Sequence, residues 1–520
     1  MEDRIMIEQD AAENNTKEHK TTAEIEKNNT KLTFSRMECI FAYVLLGLGF
    51  CFIQFVFWNT TGFFTTVFFL CTAIICMLYL KKSHFSMNKN SIITFSLLII
   101  FSMVFSISAN DFIKFLNTIF ILVLGIYWVY GVCKDNNTIG HFFFFDLIKS
   151  VFIMPFSGFA KAPKAITYTS KKSQSYKNVK LALVGLVITI PVTVLVASLL
   201  TSADSGVERM LDLFYGRFQE KVFLFILKLC MGIPVAFYIF GLLYANVRKE
   251  KAEVFSEEQC EEKLKKLRIS PNLVLYSAVT PICFLYILFF ISQLQYFLSA
   301  FMGELPEQYS FSEYARRGFF ELCAIAVINL AIILAINIFS KNTGKDKPVA
   351  LKGYSIIIAI FTIMIIVTAL SKMIMYIGEY GLTQLRLYTS WFMLLLALAF
   401  LWIILKQVKT SFNFEKYLVL SFVFMFAILC FSNMDGIIAK YNITMYKAGY
   451  LKELDVNALC NLSDDGLVYV LEEGIDTEDF LNYRVDDYIY NFYPFRKFNI
   501  SSLRVDAFLE KDSTIIKSVN

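Results

Sequence analysis

Residues 309–339 read YSFSEYARRGFFELCAIAVINLAIILAINIF, and this stretch combines the two features that decide the fold. Its second half is an apolar run of about 20 residues, the length that an α-helix needs to cross a bilayer. Its first half places two arginines and two glutamates directly against that run. Charge so close to a membrane core is costly. The stretch therefore predicts a transmembrane helix that begins beside a charge cluster.

The whole chain has the composition of a polytopic membrane protein. It has 520 residues, of which 57% are hydrophobic, including 54 Phe, and its mean hydropathy is +0.56. A soluble core of this size does not need so much apolar surface. The fold class that we predict is all-α, a bundle of transmembrane helices. The net charge of +5, from 49 Lys and Arg against 44 Asp and Glu, gives no reason to expect a nucleic-acid partner.

Cysteine and histidine do not suggest metal or redox chemistry. The 11 Cys are scattered, mostly in apolar runs, without a CxxC pair or a histidine at ligand spacing. Such cysteines are typically small buried hydrophobic residues. The three histidines, His19, His84 and His141, lie outside the long apolar runs. We therefore expect no metal and no cofactor.

About eleven apolar segments have spanning length. They cover residues 38–58, 62–80, 91–108, 115–133, 181–200, 222–244, 272–300, 319–339, 354–377, 388–406 and 417–432. The first should act as an uncleaved signal anchor, because no short apolar region with a small-residue cleavage site precedes it.

The distribution of Lys and Arg predicts the orientation of these spans. Alternate connections, at residues 81–90, 134–180, 245–271, 340–353 and 407–416, are rich in both residues, as cytoplasmic loops are. We call this predicted cytoplasmic side the inner side and the opposite one the outer side. This orientation predicts three regions of the chain. They are a disordered cytoplasmic tail at 1–36, a transmembrane helical domain at 37–432 and a small, mainly helical extracytoplasmic cap at 433–520. We expect the chain in the cytoplasmic (plasma) membrane.

One segment makes the count ambiguous. Residues 142–160, FFFFDLIKSVFIMPFSGFA, are long enough to span but contain Asp146, Lys149 and Pro155. If they crossed the membrane, every later basic loop would lie outside. We therefore interpret the segment as amphipathic on the inner surface or as shallowly re-entrant.

The connection after the fifth predicted span lies on the outer side. In residues 201–221, Ser205 and Glu208 have the spacing of a capping box and begin a helical pattern, which predicts a surface helix that is either a lid or a plain connector.

Three prolines lie inside three successive spans, where they indicate either packing geometry or discontinuous helices; they are Pro191, Pro234 and Pro281.

The charge cluster of the opening stretch has candidate partners on the same side. Ser310 and Glu313 form a second capping box, and Glu313, Arg317 and Glu321 share one helix face. Arg316 points elsewhere and needs another carboxylate. The candidate functional residues are Glu313, Arg316, Arg317, Glu321, Asp204, Glu208, Arg209, Glu379, Arg386, Lys228 and Lys372. They either line an outward-facing polar vestibule or pair with each other and hold helix ends together.

No catalytic motif stands out. The sequence has no GxSxG, HExxH or Walker loop and no Cys–His pair, and the Asp run near Asp464 lacks calcium-loop spacing. We expect a protein that is not an enzyme.

Several short pieces resemble an uncharacterised bacterial family. They are ADSGVERML, SEYARRGFFEL, EYGLTQLRLY, NMDGIIAKYNI, LDVNALCNLSDDG and FNISSLRVDAF, and they extend over residues 180–510. Their order and spacing resemble the domain-of-unknown-function group four-one-seven-three, with group four-one-five-three as a near neighbour. The chain departs from that pattern at Ser205, where the family more often has proline. The resemblance implies a bacterial multi-pass membrane protein and leaves its activity open.

Two functions of different classes fit these features. The first is transport of a small polar solute through an outward-facing vestibule. The alternative is a membrane sensor or an envelope assembly scaffold, in which the outer loops and the cap bind another envelope protein. The lipid bilayer is a partner in both. Transport requires water at Lys228, Lys372 and Glu321, whereas a scaffold requires a paired, dry interior and an exposed apolar patch on the cap.

The predicted orientation can be tested with topology reporters. Five predicted spans lie between Lys266 and Gly449, so reporters fused after these residues should lie on opposite sides of the membrane. Alkaline phosphatase and green fluorescent protein activities would measure this, and reporters on the same side would refute the predicted count.

Overall fold

The computed structural model describes residues 34–58, 61–134, 139–170, 196, 205–250, 256–268, 270–302, 319–341, 347–474 and 499–511. Side chains are described throughout these ranges except at 169–170, 205–223, 292–302, 319–320 and 509–511. The predicted tail at 1–36 therefore lies almost wholly outside the described residues, as does the predicted fifth span at 181–200 with Pro191.

The described residues are helical, as predicted, and an isolated bridge between Ser270 and Ser340 is the one β-type pairing among them. The helices are α1 Arg36–Phe52, α2 Phe63–Lys82, α3 Lys89–Ser102, α4 Val104–Ile107, α5 Asp111–Cys133, α6 Phe143–Ile148, α7 Met154–Phe159, α8 Ala162–Ser170, α9 Ser205–Val247, α10 Glu257–Leu267, α11 Asn272–Met302, α12 Phe319–Phe339, α13 Val349–Tyr380, α14 Gln384–Val408, α15 Phe414–Phe431, α16 Met434–Lys447, α17 Val456–Cys460, α18 Asp464–Glu472 and α19 Ile500–Lys511. Two π-helical turns, Ile53–Phe57 and Lys149–Ile153, interrupt the α-helical geometry.

Eleven helical segments in the described part of the chain are long and apolar enough to cross a membrane. Ten of them match predicted spans, which confirms an all-α multi-pass membrane protein. Pro234 and Pro281 lie inside α9 and α11, which continue past them, so neither proline divides its helix. The predicted surface helix at Ser205 and the sixth span are one helix, α9, of 43 residues.

The eleventh such segment is Phe143–Tyr168, which overlaps the ambiguous stretch of the sequence. It has spanning length and composition, but it is not one straight helix. It consists of α6, the π-helical turn Lys149–Ile153, α7 and α8, with turn residues at 160–161. Length and composition do not decide whether it crosses, so its placement on the inner side stays a prediction.

The chain divides into two compact units. The first contains Met1–Leu45 and Lys161–Glu220. In it, Ser35 and Glu38 form a capping box at the start of α1, with the Ser35 amide 2.7 Å from the Glu38 carboxylate. The Tyr43 hydroxyl donates to the Ile166 carbonyl at 3.0 Å, so α1 and α8 contact each other. The predicted division into tail, membrane domain and cap stays a prediction.

The second unit contains Leu46–Ala160 and Lys221–Asn520. One core of this unit lies among α11, α12, α13 and α14, where buried Ile, Leu, Ala and Met side chains pack together. Asn329 of α12 is fully buried in this core and donates to Thr362 of α13 at 2.8 Å, while the Tyr286 hydroxyl of α11 donates to its amide oxygen. Such bonds join helices where apolar contact alone gives little preference over lipid.

Close helix contacts in this unit depend on glycine. A Cβ added at Gly232 of α9 would lie 2.7 Å from the Gly49 carbonyl carbon of α1, and one at Gly158 of α7 would lie 2.7 Å from the Gly241 Cα of α9. Real Cβ atoms do not approach so closely. Small residues at these crossings allow the two backbones to touch, as they do in many membrane bundles.

A buried lysine joins three helices at their inner ends. Lys347 precedes α13 and donates to Asn337 at 3.0 Å, Ser355 at 3.3 Å and Gln407 at 2.8 Å. Burial and, to a smaller extent, the charge of the nearby Lys352 together lower the pKa of Lys347 to about 8. Because its described partners are neutral oxygens, this ammonium relies on hydrogen bonds rather than on a carboxylate.

The glycine contact gives a prediction with a control in the same helix. Gly49→Ala would press its Cβ against the Gly232 carbonyl oxygen, so we expect a loss of about 1–3 kcal/mol in unfolding free energy. At Gly47 an added Cβ meets nothing within 4 Å, so Gly47→Ala should be neutral or stabilising by up to about 1 kcal/mol. Thermal unfolding in detergent would measure both, and equal effects would contradict the close contact.

Candidate functional site

The C-terminal cap is a small helical body with its own apolar core. Helices α16, α17, α18 and α19 bury Ile438, Leu459, Leu467 and Val505 together, and Leu382 from the α13–α14 turn joins the same cluster. The Asn442 side chain reinforces this contact, since its oxygen accepts from the Leu382 amide at 2.6 Å and its nitrogen donates to the Leu382 carbonyl at 2.8 Å. The cap is thereby bound to the turn between two spans.

Asp435 is the most connected polar residue at the base of the cap, and it is 1% exposed. One carboxylate oxygen accepts from Asn110 Nδ2 at 2.9 Å and from the Ser463 amide and hydroxyl at 3.1 and 2.5 Å. The other accepts from Gln384 Nε2 at 2.8 Å. One side chain thus joins the start of α5, the start of α14 and the turn before α18 to α16.

Asp465 makes a second connection to the same outer loop. It is 4% exposed, and its Oδ2 accepts from the Ser108 hydroxyl at 2.8 Å and from the Ala109 amide at 2.9 Å. Asn110 connects the two aspartates, because its backbone amide donates to the Ser108 hydroxyl at 3.2 Å while its side chain donates to Asp435. The same side-chain nitrogen donates to the Tyr388 hydroxyl at 2.9 Å. We call Ser108, Asn110, Gln384, Tyr388, Asp435, Ser463 and Asp465 the carboxylate network.

Helix geometry explains how two aspartates tolerate this burial. Within the described residues neither forms an ion pair with Lys or Arg. Hydrogen bonds from neutral donors stabilise both carboxylates instead. Asp435 lies in the first turn of α16 and Asp465 in the first turn of α18. The partial positive charge at a helix N-terminus stabilises a carboxylate there.

The helical geometry is interrupted just before α16, and this interruption sets the position of Asp435. Asn433 has φ 49 and separates α15 from α16, so the helix of the last span does not continue into the cap. Its side chain accepts from the Gly436 amide at 2.9 Å, and a Cβ on Gly436 would meet that side chain at 2.7 Å. Asparagine tolerates the left-handed region well, which explains why the helix restarts here.

The described members of the sequence-predicted charge cluster contact different groups. Arg386 caps the end of α13, since it donates to the carbonyls of Tyr380, at 3.0 Å, and Gly381, and its guanidinium lies 4.1 Å from the Tyr376 ring centroid. Glu379 accepts from Lys452 of the cap at 3.0 Å. These contacts lie at helix ends. They resemble the second interpretation of the charge cluster, in which its members hold helix ends together.

The two lysines inside spans also have defined surroundings. Lys228 donates to Gln54 at 2.9 Å and lies 5.3 Å from the Trp58 ring centroid. Lys372 is 9% exposed within α13. Glu321 is exposed in the first turn of α12.

The other predicted members of the charge cluster lie where the structure does not describe their side chains. Asp204, Glu313, Arg316 and Arg317 lie outside the described residues, and Glu208 and Arg209 belong to the part of α9 whose side chains are not described.

The comparisons with known proteins give one result. Residues 95–473, more than half of the chain, match the family model described as Domain of unknown function (DUF4153). The chain belongs to the DUF4153 family. No curated protein and no solved structure matches it.

The match corrects the family interpretation of the sequence. The match confirms that the chain belongs to an uncharacterised domain family. The short pieces were assigned first to group four-one-seven-three, with DUF4153 as the neighbour, and this choice of group is wrong. Pieces of about ten residues are too short to distinguish families that share a pattern of apolar helices, whereas a match over residues 95–473 is long enough. The piece FNISSLRVDAF lies beyond the matched residues.

The carboxylate network of this DUF4153 chain was missed by the sequence interpretation. NMDG at 433–436 and LSDDG at 462–466 were noted only as resembling pieces, and the second only as a poor calcium loop. The sequence pattern that could have identified both pieces is an aspartate in the first turn after a helix cap. This position places the carboxylate beside backbone amides that have no partner within the helix. In the described part of the chain no three His, Cys, Asp or Glu lie close enough to hold a metal ion.

Removing the Asp435 carboxylate should loosen the cap. Asp435→Ala leaves the buried Asn110 and the half-buried Gln384 and Ser463 without this acceptor, so we expect a loss of about 3 kcal/mol in unfolding free energy. Asp455→Ala is the control, because Asp455 only caps α17, through the Ala458 amide at 2.9 Å, and should cost about 1 kcal/mol. Thermal unfolding and limited proteolysis of the cap in detergent would measure the difference. Similar losses in both variants would show that the network does not hold the cap.

Proposed function

We propose that this DUF4153 protein is a membrane-embedded scaffold or sensor without enzymatic activity, which works through its C-terminal cap. In this proposal the chain lies in the plasma membrane with its N-terminus in the cytoplasm and its cap outside. The partner is another envelope protein that binds the cap.

The observation that carries the proposal is the carboxylate network. Asp435 and Asp465 connect the cap to the loop before α5 and to the start of α14. A surface held by buried, hydrogen-bonded carboxylates has few alternative arrangements, because each broken bond leaves a buried polar group unpaired. This supports a cap that presents a fixed surface or transmits a displacement to the spans.

The cap also carries exposed apolar side chains that a partner would bury. Tyr450 is 74% exposed and Tyr446 45%, and both lie at the end of α16. Ile500 and Leu503 of α19 are 49% and 43% exposed. Tyrosine is enriched in protein interfaces because it combines a large apolar ring with a polar hydroxyl.

Transport is the competing function. It requires solvent at the charged residues of the spans, whereas Lys372 is buried and Lys228 is bonded to Gln54 beside Trp58. Arg386 and Glu379 are likewise engaged with helix ends and with the cap. These contacts favour the scaffold or sensor over an open vestibule.

Cysteine accessibility in intact cells distinguishes the two functions. On a Cys-free background, single cysteines at Arg317, Lys228 and Lys372 would be treated with a membrane-impermeant thiol reagent. A scaffold predicts protection at all three positions, while Lys452→Cys on the cap, where the side chain is 86% exposed, should label fully. Labelling at all three would support a vestibule and overturn the proposal.

A second position tests for the partner. Tyr450→Cys should label fully in the purified protein and several-fold less in intact cells, where the partner covers it. Lys452→Cys corrects for reagent access in both preparations. Equal labelling of Tyr450→Cys in cells and in detergent would show that nothing binds this part of the cap.

A further inference from the structure

The membrane-spanning segment Lys89–Ile107 is not one continuous α-helix. It consists of α3 and the single turn α4, and Met103 between them belongs to neither helix. The Met103 amide donates to the Ile100 carbonyl at 3.1 Å, and the Ser106 amide donates to the Met103 carbonyl at 3.0 Å. Each of these bonds reaches back three residues instead of four. Such a short stretch of 3₁₀ geometry inside a helix often marks a hinge.

Side chains of two neighbouring helices supply hydrogen-bond donors at this break. The Asn117 side chain of α5 donates to the Phe101 carbonyl at 2.9 Å, and the Thr66 hydroxyl of α2 donates to the Ser102 carbonyl at 2.8 Å. Residues 100–106 contain no proline or glycine, so the side chains that enter the backbone ladder account for the break. Because these bonds come from other helices, α4 can tilt relative to α3 without leaving either carbonyl unpaired in the membrane.

The turn α4 is buried between membrane helices and the cap. Val104 and Phe105 are both 0% exposed, and the Phe105 ring stacks on Phe69 of α2 with ring centroids 5.6 Å apart. The same turn contacts α15, the last span, and α19 of the cap. Close-packed side chains transmit displacement rather than absorb it. A movement of the cap therefore displaces α4.

The loop that follows α4 is bonded to both buried aspartates of the carboxylate network. Ser108 donates its hydroxyl to Asp465 at 2.8 Å and its amide to the Val104 carbonyl of α4 at 2.9 Å. Two residues later, the Asn110 side chain donates to Asp435 at 2.9 Å. The cap thus holds α4 at the end opposite to the break.

We infer that Met103 is a hinge and that α4 is the lever through which a displacement of the cap reaches α2 and α5. When the cap shifts, Asp435 and Asp465 carry the loop with them, and α4 turns about Met103 while α3 stays in place. The side chains of Thr66 and Asn117 lie on the carbonyls at the hinge, so the movement reaches their helices directly. This inference rests on the proposed function in its sensor form, in which the partner shifts the cap.

The test measures movement at the hinge in the full-length protein, in nanodiscs and without a partner. Spin labels on Ile93→Cys and Ile107→Cys lie on either side of Met103, about 21 Å apart along the span. Both side chains are exposed, at 58% and 39%. Labels on Leu385→Cys and Leu401→Cys, about 24 Å apart on the uninterrupted helix α14, form the control pair. Double electron–electron resonance on a Cys-free background gives the two distance distributions.

Cutting the contact between cap and lever should free the hinge. In Asp465→Ala we expect the Ile93–Ile107 distribution to widen about twofold, while the control pair keeps its width. Ser108→Ala is a milder variant that removes one of the two bonds to Asp465, and it should widen the distribution less. Asp455→Ala, which only caps α17, should leave both distributions unchanged. An unchanged Ile93–Ile107 distribution in both Asp465→Ala and Ser108→Ala would overturn the inference.

Hydrogen exchange separates a hinge movement from unfolding of α4. A turn that moves as a unit keeps the Ile107 amide bonded to the Met103 carbonyl and the Ser108 amide bonded to the Val104 carbonyl. Exchange of these two amides in Asp465→Ala should therefore stay within about threefold of the original rate. Faster exchange would show that α4 unfolds instead of turning, and the hinge would be refuted.

Removal of an inserted donor should stiffen the break. Thr66→Val keeps the shape of the side chain but takes the donor from the Ser102 carbonyl, which then needs the Ser106 amide, as in a regular helix. Added to Asp465→Ala, this change should return the Ile93–Ile107 distribution to about its original width.

A second threonine of α2 provides the matched control. The Thr72 hydroxyl donates to the Phe68 carbonyl of its own helix at 2.8 Å, so Thr72→Val added to Asp465→Ala should leave the distribution wide. Equal widths in the two double variants would contradict the hinge. Failure of the hinge is distinct from failure of the proposed function, because the distances are measured without a partner, whereas labelling of Tyr450→Cys in cells tests the partner itself.

Discussion

The structure depends on two carboxylates that are removed from water without a cation beside them among the described residues. Burying a charge costs several kcal/mol unless hydrogen bonds replace its hydration. Asp435 and Asp465 meet that requirement with donors from three separated parts of the chain, namely the loop before α5, the start of α14 and the turn before α18. The cost applies whenever one of these elements moves, so the cap and the outer ends of the spans are coupled through the same two side chains.

Packing within the membrane supports this connection. The contacts of Gly49 with Gly232 and of Gly158 with Gly241 let backbones approach where apolar side chains gain little over lipid. Asn329 and Lys347 add hydrogen bonds among α11, α12, α13 and α14. Polar groups that must find partners inside the protein restrict the alternative packings of helices whose apolar surfaces are otherwise similar.

The sequence predicted the class of fold well because spanning length and hydropathy are local properties. Ten predicted spans match helices of spanning length. The charge cluster was harder. Glu379 pairs with Lys452, 73 positions away, and Arg386 bonds to backbone carbonyls of the preceding turn rather than to a carboxylate. The carboxylate network was missed for the same reason. Asn110 and Asp435 are more than three hundred positions apart, and only the folded helices bring them together.

Helix direction relates the two ends of the molecule. At the predicted outer ends, the first turns of α16 and α18 carry the buried Asp435 and Asp465, while at the predicted inner ends Lys134 and Lys249 follow the ends of α5 and α9. Both placements follow from the helix dipole, which favours carboxylates at N-termini and ammonium groups at C-termini. The excess of lysine on inner loops is usually attributed to insertion. Here the helix dipole favours the same positions, because Lys134 and Lys249 lie at or just beyond helix C-termini. The direction of the helices therefore relates these lysines to the carboxylate network, because the same dipole acts at helix N-termini with its sign reversed.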